Sequence, residues 1–131
     1  MTRIELERMA DLDETMESLK LRKQMLFERR TDIAVHYSEA PGAHSYNDQL
    51  AEYVARISEL EEEYSDLILE HGELYIRFAR ALEYLKLRER QVLKLKYEKR
   101  YGWKKVARTM YYSESRVKAI HKSALEKIRD F

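Results

Sequence analysis

Positions 104–122 read "KKVARTMYYSESRVKAIHK", and Lys104, Lys105, Arg108, Arg116, Lys118 and Lys122 are the residues there whose type and spacing could do chemistry. That chemistry is electrostatic. Cations recurring on the polar faces of two short helices form the shell that a phosphate backbone demands. Tyr111 and Tyr112 fall between the two runs, where a hydroxyl beside a groove can bond a phosphate. Other chemistries find little material. His36, His44, His71 and His121 include no pair at three or four residues' separation, and the chain has no cysteine, so no metal site is expected. The acidic run at 61–63 belongs to a continuous exposed helix, with no pocket to raise a carboxyl pKa. A Gly-rich phosphate loop and a Ser/His/Asp arrangement are both missing. The chain is expected to be no enzyme and to need no cofactor.

The elements that must position these cations can be read around them. Val106, Ala107 and Met110 form one apolar face, and Val117, Ile120, Ala124 and Ile128 form another at helical spacing. Small Ala107 stands where two helices must approach closely. Gly102 is expected to end the preceding helix in a left-handed cap, and Ser113 to accept from the backbone N–H groups that open the last helix. Tyr111 sits in the turn, where many such motifs have Gly or a small polar residue to tolerate positive φ. Trp103 is expected as a packing anchor. Arg88, Arg90, Lys94 and Lys96 precede this unit, half of them expected to be solvated.

Upstream, residues 4–38 contain no Gly or Pro, and Met9, Leu12, Met16, Leu19, Leu26 and Ile33 recur at three-four spacing, interrupted by Lys23 and Arg30. This predicts one long helix. "EAPGAHSYND" holds the only Pro and is the natural turn, with Ser45 or Asn47 available to cap the next helix. Leu50, Tyr53, Ile57, Leu60, Tyr64, Leu67, His71, Leu74, Phe78, Ala81 and Leu85 then predict a second long helix, antiparallel to the first. Gly72 inside it points to a bend or a close helix approach. Val54, Ile68, Leu69, Tyr75 and Ile76 widen its apolar face, to be covered either by self-association or by the C-terminal helices folding back.

The fold class expected is all-α: a long N-terminal antiparallel, coiled-coil-like helical hairpin over 1–84, for assembly or partner contact, followed by a helix-turn-helix over 85–131. Charge divides the chain in the same place. The net charge of +1 conceals 10 Lys/Arg against 19 Asp/Glu in residues 1–85 and 15 against 5 in residues 86–131. A basic module that meets a polyanion is thus attached to an acidic body that does not. Absent cysteine fits a reducing compartment, and no run approaches the ~18 apolar residues of a membrane span. A cytoplasmic location is expected, with no membrane contact.

Four blocks, "RERQVLKLKY", "WKKVA", "SESRV" and "ALEKIR", stand in order at suitable separations, and residues 85–129 resemble the sigma-70 region 4 type of helix-turn-helix. The chain as a whole resembles phage-encoded sigma-like late-gene regulators of the ArpU and RinA type. The resemblance implies a final helix in the major groove, with Glu114, Ser115, Lys118 and Ala119 facing the bases and Arg116 and Lys122 at phosphates. Lys104, Lys105, Arg108, Tyr112 and Ser113 complete the expected DNA-binding set. Glu114 and Ala119 occupy places where region 4 usually has Arg and Gln, so its usual target does not carry over. The Pro common near the start of the first region 4 helix is also missing, which would let the second long helix continue into the module.

The function expected is that of a sequence-specific DNA-binding transcriptional regulator, phage-encoded and at work in a bacterial host cell, that binds double-stranded DNA and recruits or modulates bacterial RNA polymerase. By resemblance polymerase would touch the apolar side around Val92, Leu93 and Tyr97, and the widened stripe over residues 50–82 would form a homodimer. Two alternatives come from other classes: a phage DNA-packaging protein of the small terminase kind, and a helical protein-interaction module using the acidic hairpin.

Overall fold

The computed structural model describes residues 1–38 and 45–131, and side chains outside positions 30–46. Helices α1 (Arg3–Ser38), α2 (Ser45–Glu83), α3 (Leu87–Leu93), α4 (Trp103–Met110) and α5 (Glu114–Lys127) succeed one another along the chain, with a π-helical turn, Lys94–Glu98, extending α3. No strand occurs among the described residues. The expected turn around Pro41 and the side chains of Ile33 and Ser45 lie outside the described residues. Asn47 is inside the first turn of α2, past any capping position.

The chain forms two compact units, and each contains a length of both long helices. In the unit of residues 14–69, Phe27 meets Tyr53 edge-on at 6.5 Å and Lys23 bonds Glu61 at 2.9 Å, so α1 and α2 run antiparallel. Lys23, which breaks the apolar stripe of α1, is therefore satisfied by an acid from the facing helix. Burial here is shallow: Tyr53, Ile57, Leu60, Tyr64 and Leu67 are only half-buried, and among the described side chains of this unit's part of α1 Leu19 is the one fully buried. Two helices can cover one seam and no more.

The other unit, residues 1–13 with 70–131, has a deeper core. Met1, Leu6 and Met9 of the N-terminal segment pack with Phe78, Ala81, Leu82 and Leu85 of α2's end and with Leu93, Tyr97, Ala124 and Ile128. Each large apolar side chain among them stabilises the fold by about 1.5–3 kcal/mol on burial. A smaller cluster, Val92, Val106, Ala107 and Val117, joins α3, α4 and α5 and is flanked by Trp103, Met110, Tyr112 and Ile120. The two apolar faces expected for α4 and α5 are thus both used, though Ala124 and Ile128 serve the larger core.

In this unit the C-terminal helices fold back and cover Phe78, Ala81, Leu82 and Leu85, but Tyr75 and Ile76 stay 44% and 55% exposed. Gly72 permits no close approach, since a Cβ there would meet nothing within 4 Å.

The long helix does not continue into the module. α2 ends at Glu83, and α3 starts after Lys86 in extended backbone (φ −69°, ψ 159°). No proline is needed for this break, because side chains satisfy the helix ends it creates. Glu89 accepts from the Lys86 N–H at 3.2 Å, while Arg90 donates from Nε to the Leu85 carbonyl at 2.9 Å and from its Nη2 to that of Glu83 at 3.3 Å.

Candidate nucleic-acid interface

The interface is built on an α4–turn–α5 unit packed on the Val92, Val106, Ala107 and Val117 cluster. Gly102, at φ −68° and ψ 163°, opens α4 and does not end the preceding helix in a left-handed cap. Arg100, at φ 56°, takes that conformation, and the Tyr101 N–H then reaches back to the Leu95 carbonyl at 3.0 Å. Tyr111 ends α4 in the left-handed region as expected (φ 59°, ψ 36°), with its N–H 3.4 Å from the Arg108 carbonyl and that of Tyr112 3.0 Å from Ala107's. Ser113 then caps α5, its Oγ accepting from the Arg116 N–H at 3.2 Å.

Behind α5 lies a polar contact within the core. Tyr97 Oη is 2.7 Å from His121 Nε2, and the Trp103 ring meets His121 edge-on at 4.8 Å. Burial lowers the His121 pKa to about 4, aided by the charges of Arg3 and Lys96, and burial raises the Tyr97 hydroxyl to about 12. Both groups are therefore neutral at physiological pH. They hold the inner face of α5, and Trp103 is the packing anchor the sequence suggests.

Outward from this support, Lys104, Lys105, Arg108, Ser113, Ser115, Arg116, Lys118, Ala119 and Lys122 are exposed, and Tyr112 and Glu114 are half-buried. Lys104 with Arg108, and Lys118 with Lys122, place like charges four residues apart, which costs each helix about 0.2–0.5 kcal/mol. None of these cations has a carboxylate partner among the described residues. Aromatic rings hold some of the cations here instead: Lys105 Nζ lies 4.0 Å from the Tyr101 centroid and Lys96 Nζ 4.7 Å from that of Trp103. The guanidinium of Arg116 lies 5.1 Å from the Tyr112 centroid, and that of Arg88 5.7 Å.

Arg88 is a residue whose role the sequence leaves undecided. Its placement over Tyr112 brings α3 to the edge of α5, which no spacing in the sequence signals. Arg90, its neighbour in the same run, instead caps α2. Glu89 is buried beside them: burial alone would raise its pKa, but the bonds from Lys127 Nζ at 2.7 Å and the Lys86 N–H hold it below the usual carboxylate range. One expectation is corrected outright. Val92 and Leu93 are 0% exposed and Tyr97 3%, so they are core residues and offer no face to polymerase.

Residues 81–130 match the family Sigma-70, region 4. No match is found among curated proteins or among solved structures. The matched segment starts in the last turn of α2, where Ala81 enters the core, and takes in every helix of the interface. The C-terminal part of the chain is a sigma region 4-like helix-turn-helix, a DNA-binding module. No helix among the described residues is long and apolar enough to cross a membrane.

Proposed function

We propose that this chain is a sequence-specific DNA-binding regulator of transcription that lays α5 in the major groove of double-stranded DNA. The observation that carries this is the set of exposed, unneutralised cations on α4 and α5 around a capped turn, within the segment similar to Sigma-70, region 4. Lys104, Lys105 and Arg108 hold phosphates, with Arg116 and Lys122 beside them. Glu114, Ser115, Lys118 and Ala119 meet base edges. Tyr111, 94% exposed on left-handed backbone, is free to reach the phosphate strand with Tyr112 next to it.

The regulator is phage-encoded, works in the cytoplasm of a bacterial host and recruits that host's RNA polymerase. Recruitment uses exposed surface outside α5, since the apolar positions of α3 are internal. Two copies pair through the exposed apolar positions within residues 50–82, to which Phe78, Ala81 and Leu82 do not belong because they are internal. Supporting this are Val54, Ile68 and Leu69, 54%, 42% and 68% exposed, and the exposed Tyr75 and Ile76 further along the same helix.

Selection of bound duplexes from a random library, with a salt titration on the winner, tests the reading. An enriched motif and a steep salt slope support it, and two half-sites support the dimer. Binding that is steep in salt but enriches nothing points to packaging or to polymerase-dependent recognition. A monomer by light scattering at tens of micromolar contradicts the pairing.

A further inference from the structure

Beside α5 an apolar surface lies where charge alone would be expected. An open cleft of about 550 Å³ separates the first turn of α3 from α5, lined by Lys86, Leu87, Arg88, Arg116, Ala119 and Ile120. Leu87 is 68% exposed in it and Ala119 is exposed. The one acid lining it, Glu89, is already bonded to Lys127, to the Lys86 N–H and to Ser123 Oγ at 3.4 Å. The rim is therefore cationic, and Arg88 and Arg116 share the Tyr112 ring with no carboxylate on either among the described residues.

An occupant must offer an apolar group a few ångströms from an anion. On the base edges of the major groove the apolar group is the C5-methyl of thymine, and phosphates flank it on the strand. The geometry points to a thymine subsite: the methyl rests on Leu87 and Ala119, and the adjoining phosphate is held between Arg88 and Arg116. Ala119 suits this because a longer polar side chain would cover the floor. The inference rests on the DNA-binding function proposed above and adds Leu87 and Arg88 to the interface.

The test uses the duplex selected by the full chain, with each thymidine replaced in turn by deoxyuridine, which removes the methyl and leaves base pairing unchanged. One position within the α5 footprint is expected to lose about fourfold in affinity, the effect of one buried methyl group. That loss is expected to vanish in Leu87→Gln and in Ala119→Ser, both at exposed positions, with folding checked by circular dichroism. Arg88→Gln is expected to flatten the log–log salt slope by about one unit on any DNA. Specific binding with no sensitive thymidine overturns the subsite and leaves the DNA-binding function standing, as does a sensitivity that survives both variants. Absence of sequence-specific binding overturns both.

Discussion

Basic side chains are held differently in the two halves of this molecule. In the long helices they meet carboxylates: Arg3 bonds Glu7 at 2.8 Å, Arg8 Glu70 at 2.7 Å, Arg56 Glu52 at 3.0 Å and Arg77 Glu5 at 2.9 Å. In α3 to α5 they meet aromatic rings or solvent, as with Arg88 and Arg116 on Tyr112, Lys96 on Trp103 and Lys105 on Tyr101. The division is not absolute: Lys20 of α1 also lies over the Tyr64 ring, and in the second half Arg90 donates to the Leu85 and Glu83 carbonyls while Lys127 pairs with Glu89. Energetically the two modes are close, since an exposed ion pair and an exposed cation–π contact are each worth about 1 kcal/mol or less. They differ in what remains afterwards. An ion pair cancels the charge, whereas a ring fixes the cation's position and leaves its charge for a polyanion.

The largest effect that could break this contrast is on DNA binding. Replacing Lys104, Lys105 and Arg108 together by Gln should flatten the log–log salt dependence by about 2.7 units, at roughly 0.9 per phosphate contact. The matched triple of Arg8, Lys23 and Arg56 to Gln should leave the slope unchanged. Equal slopes for both triples would remove the distinction.

Stability should respond next, through the core that supports α5. The His121 pKa is depressed from 6.5 to about 4 in the folded chain, so between those values the unfolded state binds the extra proton. Stability is then intact above pH 6.5 and falls as pH drops toward 4, by roughly 3 kcal/mol at most. Urea midpoints across this range should follow that curve, and His121→Leu should flatten it while lowering stability near neutral pH, because the Tyr97 hydroxyl loses its partner. A midpoint rising as pH falls would contradict the buried neutral imidazole.

Smaller effects sharpen the local picture. Ser113→Ala should cost about 1 kcal/mol in thermal or urea unfolding, through the cap of α5. Gly72→Ala, in the acidic half of the chain and with open space for the new methyl, should stabilise by about 0.5–1 kcal/mol without changing DNA affinity.

Much of this arrangement is legible in the sequence because it depends on local rules. Three-four stripes mark the helices, the hydroxyl of Ser113 marks a helix start, and the place of Tyr111 in the turn marks a left-handed residue despite its side chain. Longer-range choices are not legible. The break at residues 84–86 depends on Arg90 reaching back five and seven residues to free carbonyls. The left-handed residue after the π-helical turn is Arg100 and not the nearby Gly102, because the extra residue in that turn shifts where the backbone reverses. Periodicity also identifies an apolar face without identifying its cover. By spacing alone Val92, Leu93 and Tyr97 are as available to a partner as to a core, and nothing in the sequence signals that Leu6 and Met9 pack beside Ala124 and Ile128. At the interface the cations of α4 and α5 are readable, whereas Arg88 enters it only through the fold.

The most direct test of the central claim compares Lys118→Ala with Lys104→Ala on the selected duplex and on a scrambled control, across a salt series. Lys104→Ala should weaken binding to both duplexes alike and reduce the slope by about one unit, while Lys118→Ala should mainly erode the preference for the selected sequence. Identical losses from both variants on both duplexes would contradict an interface in which α4 holds the backbone and α5 reads the bases.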